Sequence, residues 1–142
     1  MGTWRRHIRI ARPADEVWKV VSDAGALAAW APTVDKSSVS GTQRHVEFAA
    51  GFSLEEEIVT SDNELRRFQY EVIGMRAKGA TAVESSLPVR NLSTVDVIED
   101  GDGTLVIYSN QFWSDDSDAE QSAVEFVKAS PFLQGLKEYL ER

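Results

Sequence analysis

The sequence contains no cysteine and only two histidines, His7 and His45. The chain therefore has no disulfide, no thiol nucleophile, no cysteine-ligated metal site and no three-histidine metal site, and we expect neither a metal nor a cofactor. It also lacks an excess of positive charge, with 23 Asp and Glu against 15 Lys and Arg and a net charge of −8. We expect no nucleic-acid partner, because phosphate neutralisation supplies most of that affinity.

Long hydrophobic runs are absent too. No segment approaches the ~20 apolar residues of a membrane-spanning helix. The basic residues near the N-terminus are not followed by the apolar stretch of a secretory signal. We therefore expect a cytoplasmic protein, present as a monomer or weak dimer. Its 142 residues correspond to about one domain, spanning 1–142.

The hydrophobic periodicity divides the chain into helices and strands. Residues 3–10 alternate like a strand, and residues 13–23 and 24–29 favour two short helices. Six further runs of period two follow between residues 34 and 113, separated by short turns that predict an antiparallel sheet. The last segment predicts a long helix, with Ser117 and Glu120 as a capping box and a kink or break at Pro131, near Ser130. This helix must bury its apolar side against the sheet, which predicts an α+β fold.

Four polar side chains share the apolar side of their predicted strands: Glu56, Tyr70, Tyr108 and Asn110. Glu56 either lines a cavity or pairs with a neighbouring arginine, and both interpretations remain open. The two tyrosines are either core aromatics with satisfied hydroxyl groups or acid catalysts. Asn110 holds either a ligand or a backbone group. These are the candidate functional groups of the sequence.

Other charged groups fall on the opposite, solvent side of the strands. Both histidines have this parity, which leaves the predicted cavity without a histidine base. In the run 55–57 only the middle glutamate points inward. We interpret the four arginines at positions 5, 6, 9 and 12 mainly as a solvated strand surface that pairs with acidic neighbouring strands, with an anion-binding patch as the alternative. The sequence 100–103 (Asp-Gly-Asp-Gly) predicts a hairpin turn rather than a calcium loop.

Several short motifs, in order along almost the whole chain, resemble the START/Bet v 1-like superfamily and its polyketide cyclase/dehydrase-like branch. They are Ile10–Trp18 (IARPADEVW), Trp30-x-Pro32, Gly41-x-x-Arg44, Gly51 with Glu56, Phe68-x-Tyr70-Glu71, Leu87-Pro88-Val89-x-Asn91, Asp100–Thr104 and Leu133-x-x-Leu136-Lys137. The resemblance implies a helix-grip fold, in which a curved seven-stranded antiparallel sheet wraps around a long C-terminal helix. Two short helices lie between the first two strands of this fold. It also implies a cavity for a hydrophobic small molecule between sheet and helix.

Positions of this sequence that match the family's cavity provide a list of expected ligand contacts. They are Trp30, Phe48, Leu54, Glu56, Tyr70, Val72, Leu87, Pro88, Leu92, Tyr108, Asn110, Phe112 and Val127. The glycine-containing segment 74–86 suggests a mobile flap or an extended hairpin tip. In the strand 88–99 the inward parity stays open, because Leu92, Thr94 and Ile98 compete with an equally apolar alternate set, and a bulge would serve both.

Three functions remain in competition. The first is binding or carriage of a hydrophobic or amphipathic small molecule, similar to a lipid or a polyketide. The second is a cyclase or dehydratase that uses Glu56 as acid or base, with Tyr70 or Tyr108 bonded to an enolate oxygen. The third is a protein-interaction or stress-response module. We favour binding, because no complete catalytic constellation is present and a fold alone fixes no reaction.

Overall fold

The computed structural model describes residues 1–142 and has the predicted α+β architecture. Seven strands, β1 to β7, span Gly2–Ile10, Val34–Ser40, Gln43–Phe48, Ser53–Asp62, Arg67–Arg76, Arg90–Asp100 and Gly103–Trp113. The helices are α1 (Ala14–Ser22), a 3-10 helix (Ala24–Ala29), α2 (Ser117–Ala129) and α3 (Phe132–Leu140). None of them combines the length and hydrophobicity that a membrane crossing needs.

All seven strands form one antiparallel sheet in the order β1-β7-β6-β5-β4-β3-β2. Tight turns join successive strands from β2 to β5 and β6 to β7. The pairing of β4 with β5 is interrupted twice, between Glu55 and Glu56 and between Ile58 and Thr60. Such irregularities bend a strand, so the sheet curves around the helices packed on its inner face.

The ladder between β5 and β6 is short. It joins only Arg67–Tyr70 to Ser93–Asp96, although β5 continues to Arg76 and β6 begins at Arg90. Where the backbones separate, the Asn91 side chain replaces the ladder: its Oδ1 accepts from Val72 N at 3.1 Å and its Nδ2 donates to Val72 O at 3.4 Å. The sheet is therefore open at this end.

The loop beyond this gap is shorter than the predicted flap 74–86. Residues 74–76 belong to β5, and one isolated bridge between Met75 and Glu84 folds the following segment back on the strand. Gly74 leaves room for this contact, because a Cβ there would lie 2.9 Å from a methyl group of Val83. The segment 77–86 is mostly exposed.

The C-terminal helix is broken where the sequence predicts. Helix α2 ends at Ala129 and α3 begins at Phe132, because Pro131 has no N–H to continue the hydrogen-bond ladder. The predicted capping box is wrong. Asp116, not Ser117, is the N-cap: its carboxylate accepts from Asp118 N at 3.0 Å and from Ala119 N at 3.1 Å.

Strand β6 turns Ser93, Val95 and Val97 to the buried side, in an uninterrupted register with β7. The alternative parity, with Leu92 inward, is therefore excluded, and no bulge serves both sets. The inward parity carries a polar residue, Ser93, which is satisfied by a hydrogen bond from Asn110 Nδ2 at 2.9 Å. The alternation of apolar residues along β6 alone could not predict this parity, because the hydrogen-bond partner of Ser93 lies on the neighbouring strand β7.

Helix α3 packs closely on the segment that follows the 3-10 helix. A Cβ at Gly135 would lie 2.5 Å from Pro32 Cδ and 2.7 Å from Trp30 O, so only glycine fits this contact. The Trp30 ring meets Phe132 edge to face, with ring centroids 4.7 Å apart. This part of the core closes one end of the sheet and leaves the other end, beneath α2, for a cavity.

Candidate functional site

A cavity of about 540 Å³ lies between the inner face of the sheet and the C-terminal helices. Nineteen of its 27 lining residues are hydrophobic, so an apolar molecule fits it better than water does. Ten of the thirteen expected contact residues line it: Phe48, Leu54, Glu56, Tyr70, Val72, Leu87, Pro88, Tyr108, Phe112 and Val127.

The other three expected contact residues lie outside the cavity wall. Trp30 is packed under α3 against Phe132, and Leu92 has the outward parity of β6. Asn110 has the predicted inward parity, but it is only 1% exposed and its amide group bonds to Ser93. Parity therefore predicts correctly that Asn110 lies on the inner face of the sheet, but neighbouring residues separate its side chain from the cavity.

Glu56 lines the cavity and is also paired with an arginine, so both interpretations left open by the sequence hold together. Arg44 Nε donates to Glu56 Oε1 at 2.7 Å, and the two side chains are 3% and 6% exposed. The pair forms because the two residues are direct cross-strand partners on the inner faces of β3 and β4. Burial raises the pKa of Glu56, and the Arg44 guanidinium opposes part of that rise.

The two inward tyrosines form a hydrogen-bonded pair, with their hydroxyl oxygens 2.7 Å apart. They approach each other across β6, where the short side chain of Ser93 lies between their strands. Burial is the main reason why the pKa of Tyr70 is raised well above 10.0. The Tyr70 hydroxyl group therefore stays protonated near neutral pH. One proton makes the bond between them, and the other remains available to an acceptor in the cavity.

Two guanidinium groups flank this tyrosine pair. Arg44 Cζ lies 4.8 Å from the ring centroid of Tyr70, and Arg6 Cζ lies 5.3 Å from that of Tyr108. Neither arginine is among the expected site residues, and Arg6, whose side chain is partly buried, is an exception to the mainly solvated arginine cluster predicted from the sequence. The sequence does carry a signal for the inward position of Arg6. Arg6 has the same parity as the apolar residues Trp4 and Ile8, so all three side chains lie on the same face of β1.

At the end of the cavity away from these polar pairs, three aromatic rings form the opening. We call them the cavity mouth and define it as Phe48, Phe52 and Phe126. Phe48 stacks on Phe52 with ring centroids 4.5 Å apart. Phe126, on α2, meets both rings edge-on at 6.1 Å and 5.9 Å and is 49% exposed. The rings of the β3–β4 hairpin thus contact the helix across the opening.

The solvent face of the sheet carries the groups that the sequence assigned to it. His7 is exposed, and His45 pairs with Glu55 on the outer face. Glu55 and Glu57 also lie outside, opposite in parity to Glu56. No cluster of three or more potential metal-ligating His, Asp or Glu side chains is present.

The model of the family described as polyketide cyclase / dehydrase and lipid transport matches residues 1–141. The chain belongs to this family. The match extends over essentially the full chain, in agreement with the helix-grip fold described above. A search of curated protein sequences gives no match.

Solved structures show the same fold as this polyketide cyclase-family chain. XoxI from Bacillus cereus is 22% identical with a TM-score of 0.79, covering 99% of this chain and 96% of that one. A Thermobifida fusca protein is 23% identical with a TM-score of 0.75, covering 99% and 93%. Norcoclaurine synthase from Thalictrum flavum is 20% identical with a TM-score of 0.71, covering 98% and 90%. At these identities the likeness concerns the fold alone.

Proposed function

We propose that this protein binds or carries a hydrophobic or amphipathic small molecule, similar to a lipid or a polyketide, in the cavity between sheet and C-terminal helices. The observation that carries the proposal is the cavity itself, with its volume of about 540 Å³ and mostly apolar wall. Small-molecule sites typically measure roughly 300–1,000 Å³ and combine an apolar lining with few polar groups. The proposal includes the cytoplasmic location and the monomeric or weakly dimeric state expected from the sequence.

The polar groups of the cavity support a defined ligand orientation. The pair Tyr70–Tyr108 keeps one hydroxyl proton for an external acceptor, and the Glu56 carboxylate lies in the same wall. An amphipathic ligand matches both ends of the cavity. Its apolar body contacts the rings of the mouth, and its oxygen accepts a hydrogen bond from a tyrosine hydroxyl group. An entirely apolar hydrocarbon leaves that proton without an acceptor, which is costly in a buried site.

Filling the cavity tests the proposal. Ala123 lies on α2 and lines the cavity, whereas Ala129 lies on the same helix and is exposed. We expect Ala123→Trp to weaken binding of a neutral naphthylamine dye at least about tenfold, equivalent to ~1.4 kcal/mol. Ala129→Trp is the matched control and should bind like the unaltered protein. Equal dye affinity in both variants, or no dye binding by the unaltered protein, contradicts the proposal.

A second candidate, acid–base catalysis on a polyketide-like substrate, is favoured by one specific observation. The raised pKa of Glu56 and the donor hydroxyl of the tyrosine pair occur in one cavity wall. Arg44, however, binds the Glu56 carboxylate at 2.7 Å, which restrains it as a base. Incubation with a linear polyketide mimic, followed by mass spectrometry, separates the two functions. An unchanged mimic supports a carrier, and a dehydrated or cyclised product that disappears with Glu56→Gln supports the enzyme.

A further inference from the structure

A second group of polar side chains lies beneath α2, beside the cavity. We call it the α2 compartment and define it as Trp4 and Arg6 on β1 with Asn110 on β7. Helix α2 runs along β1 above it: Arg6 Nη1 donates to Lys128 O at 3.4 Å, and Lys128 Nζ lies 5.0 Å from the centroid of the Trp4 ring. The residues Trp4 and Asn110 are direct cross-strand partners.

Four polar atoms of this compartment are buried without a partner in the protein: Trp4 Nε1, Arg6 Nε, Arg6 Nη2 and Asn110 Oδ1. Buried polar groups in folded proteins nearly always have a hydrogen-bond partner, and a missing one costs about 1–3 kcal/mol. Three of these four atoms are donors, and two belong to a cation. The compartment therefore presents an excess of donors and a positive charge.

The free edge of Arg6 has the geometry that binds a carboxylate. Nε and Nη2 lie side by side on the guanidinium and donate in parallel. The same edge is in use on the outer face of the sheet, where Arg67 Nε and Nη2 donate to the two carboxylate oxygens of Asp96 at 2.8 Å and 3.3 Å. Arg6 takes part in none of the protein's ion pairs, although the chain has an excess of acidic residues.

The α2 compartment adjoins the cavity at two points. Arg6 stacks over the ring of Tyr108, which lines the cavity, and Asn110 bonds to Ser93, which also lines it. On the helix side, Val127 lines the cavity and directly precedes Lys128, whose carbonyl accepts from Arg6. The Tyr108 ring and the Ser93–Asn110 pair therefore form a shared wall between the cavity and the free edge of Arg6.

We propose that the α2 compartment is a subsite for the carboxylate of an amphipathic ligand, held by the Nε and Nη2 edge of Arg6 and the indole N–H of Trp4. This inference rests on the proposed function, because the apolar body of the ligand must occupy the cavity. It narrows the ligand class to long-chain or aromatic monocarboxylic acids. The carboxylate supplies the acceptors that the three donors lack and neutralises the guanidinium.

Competition between two ligands that differ only in the head group tests the subsite. Dodecanoic acid and dodecanol are each titrated against the bound neutral dye at pH 8, where the free acid is ionised. We expect Arg6→Met, which keeps a long apolar side chain over Tyr108, to weaken dodecanoate binding about 10- to 100-fold, as expected for hydrogen bonds to a charged group. Dodecanol affinity should stay unchanged. Arg5→Met is the matched control, because Arg5 is exposed on the outer face of the same strand.

A second measurement needs no variant. Dodecanoate labelled with carbon-13 at its carboxyl carbon is bound to the unaltered protein, and its carboxyl resonance is followed over pH. Contact with a guanidinium favours the ionised form, so we expect the pKa of the bound carboxyl to lie below that of the same acid in water. A raised pKa overturns the subsite, because it indicates a carboxyl group buried without a cation.

The failures of the two proposals are distinguishable. If dodecanol displaces the dye while Arg6→Met leaves dodecanoate affinity unchanged, the subsite is refuted and the cavity function stands. If the unaltered protein binds neither the dye nor either ligand, the proposed function fails and the subsite fails with it.

Discussion

The two ends of the cavity are built in contrasting ways. At the deep end, Arg44 with Glu56 and Tyr70 with Tyr108 form two buried pairs, each with a 2.7 Å contact. At the mouth, three phenylalanine rings meet by their faces and edges, and Phe126 is half-exposed. The polar groups of this site are therefore fixed where water is excluded, whereas its opening is closed by weaker aromatic contacts.

The physical reason is the cost of leaving each contact unmade. Removing one partner of a buried ion pair strands the other charge in a poor solvent, so the deep end is stable only in one arrangement. An aromatic pair contributes about 0.5–1.5 kcal/mol beyond the area that it buries. The contacts at the mouth therefore cost less to break than those at the deep end, as the proposed exchange of a ligand requires.

The largest effect is expected from breaking the deep ion pair. Arg44→Met leaves Glu56 buried without its cation and should lower the free energy of unfolding by about 3–5 kcal/mol. Urea denaturation measures this loss. Arg67→Met, which removes the solvent-accessible, partly buried pair with Asp96 on the outer face, is the control and should cost about 0–1 kcal/mol. Equal losses in the two variants contradict a special role of the deep end.

Removing one hydroxyl of the tyrosine pair ranks second. Tyr70→Phe leaves the Tyr108 hydroxyl without its partner and should lower the free energy of unfolding by about 1–3 kcal/mol. Tyr139→Phe, on α3, is the control because Tyr139 has no part in the pair. If thermal or urea unfolding finds the two substitutions equally mild, the pair does not stabilise the deep end.

The pH dependence of the deep end follows from the raised pKa of Glu56. A group with a raised folded-state pKa stabilises the fold fully below its ordinary pKa of 4.5, and this contribution is lost as pH rises through the folded value. Each unit by which the pKa of Glu56 is higher in the folded than in the unfolded protein corresponds to about 1.4 kcal/mol of this contribution. We therefore expect the unaltered protein to lose stability relative to Glu56→Gln in urea unfolding as pH rises above 4.5. A difference that grows in the opposite direction shows that Arg44 dominates over burial.

The smallest effect on stability is expected at the mouth. Phe126→Ala should change the free energy of unfolding by less than about 1 kcal/mol, because the side chain is half-exposed. It should nevertheless speed dye release in stopped-flow measurements, since the ring that closes the opening is lost. Leu65→Ala, an exposed turn residue remote from the mouth, is the control. Unchanged release with Phe126→Ala places the route of exchange elsewhere, with the gap between β5 and β6 as the next candidate.

Much of the fold follows from sequence periodicity alone. Alternation placed Glu56, Tyr70 and Tyr108 on the inner face, because each lies between apolar neighbours of the same parity. Pro131 marked the break in the C-terminal helix, since proline removes a backbone donor. Both features depend only on residues that are close together in the sequence, so the sequence alone is enough to predict them.

The features that the sequence did not predict, the inward parity of β6 and the environment of Arg6, depend on residues from other strands and from a helix. The inward parity of β6 was undecidable because Ser93 is satisfied by Asn110 from β7. The basic neighbours of Arg6 along the chain suggest a solvated surface, although its environment is set by Tyr108 across the ladder and Lys128 on the helix. Three-dimensional pairing, not composition, determines whether such a polar residue belongs to a surface or to a site.

Methyl NMR during titration with dodecanol shows whether a hydrophobic molecule enters the cavity. The valines Val72 and Val127 line the cavity, whereas Val39 and Val59 are exposed away from its wall. We predict that the methyl resonances of the first two shift in a saturable manner while those of the second two stay in place. Shifts confined to Val39 and Val59, or no saturable shift at all, would contradict binding of a hydrophobic small molecule in the cavity.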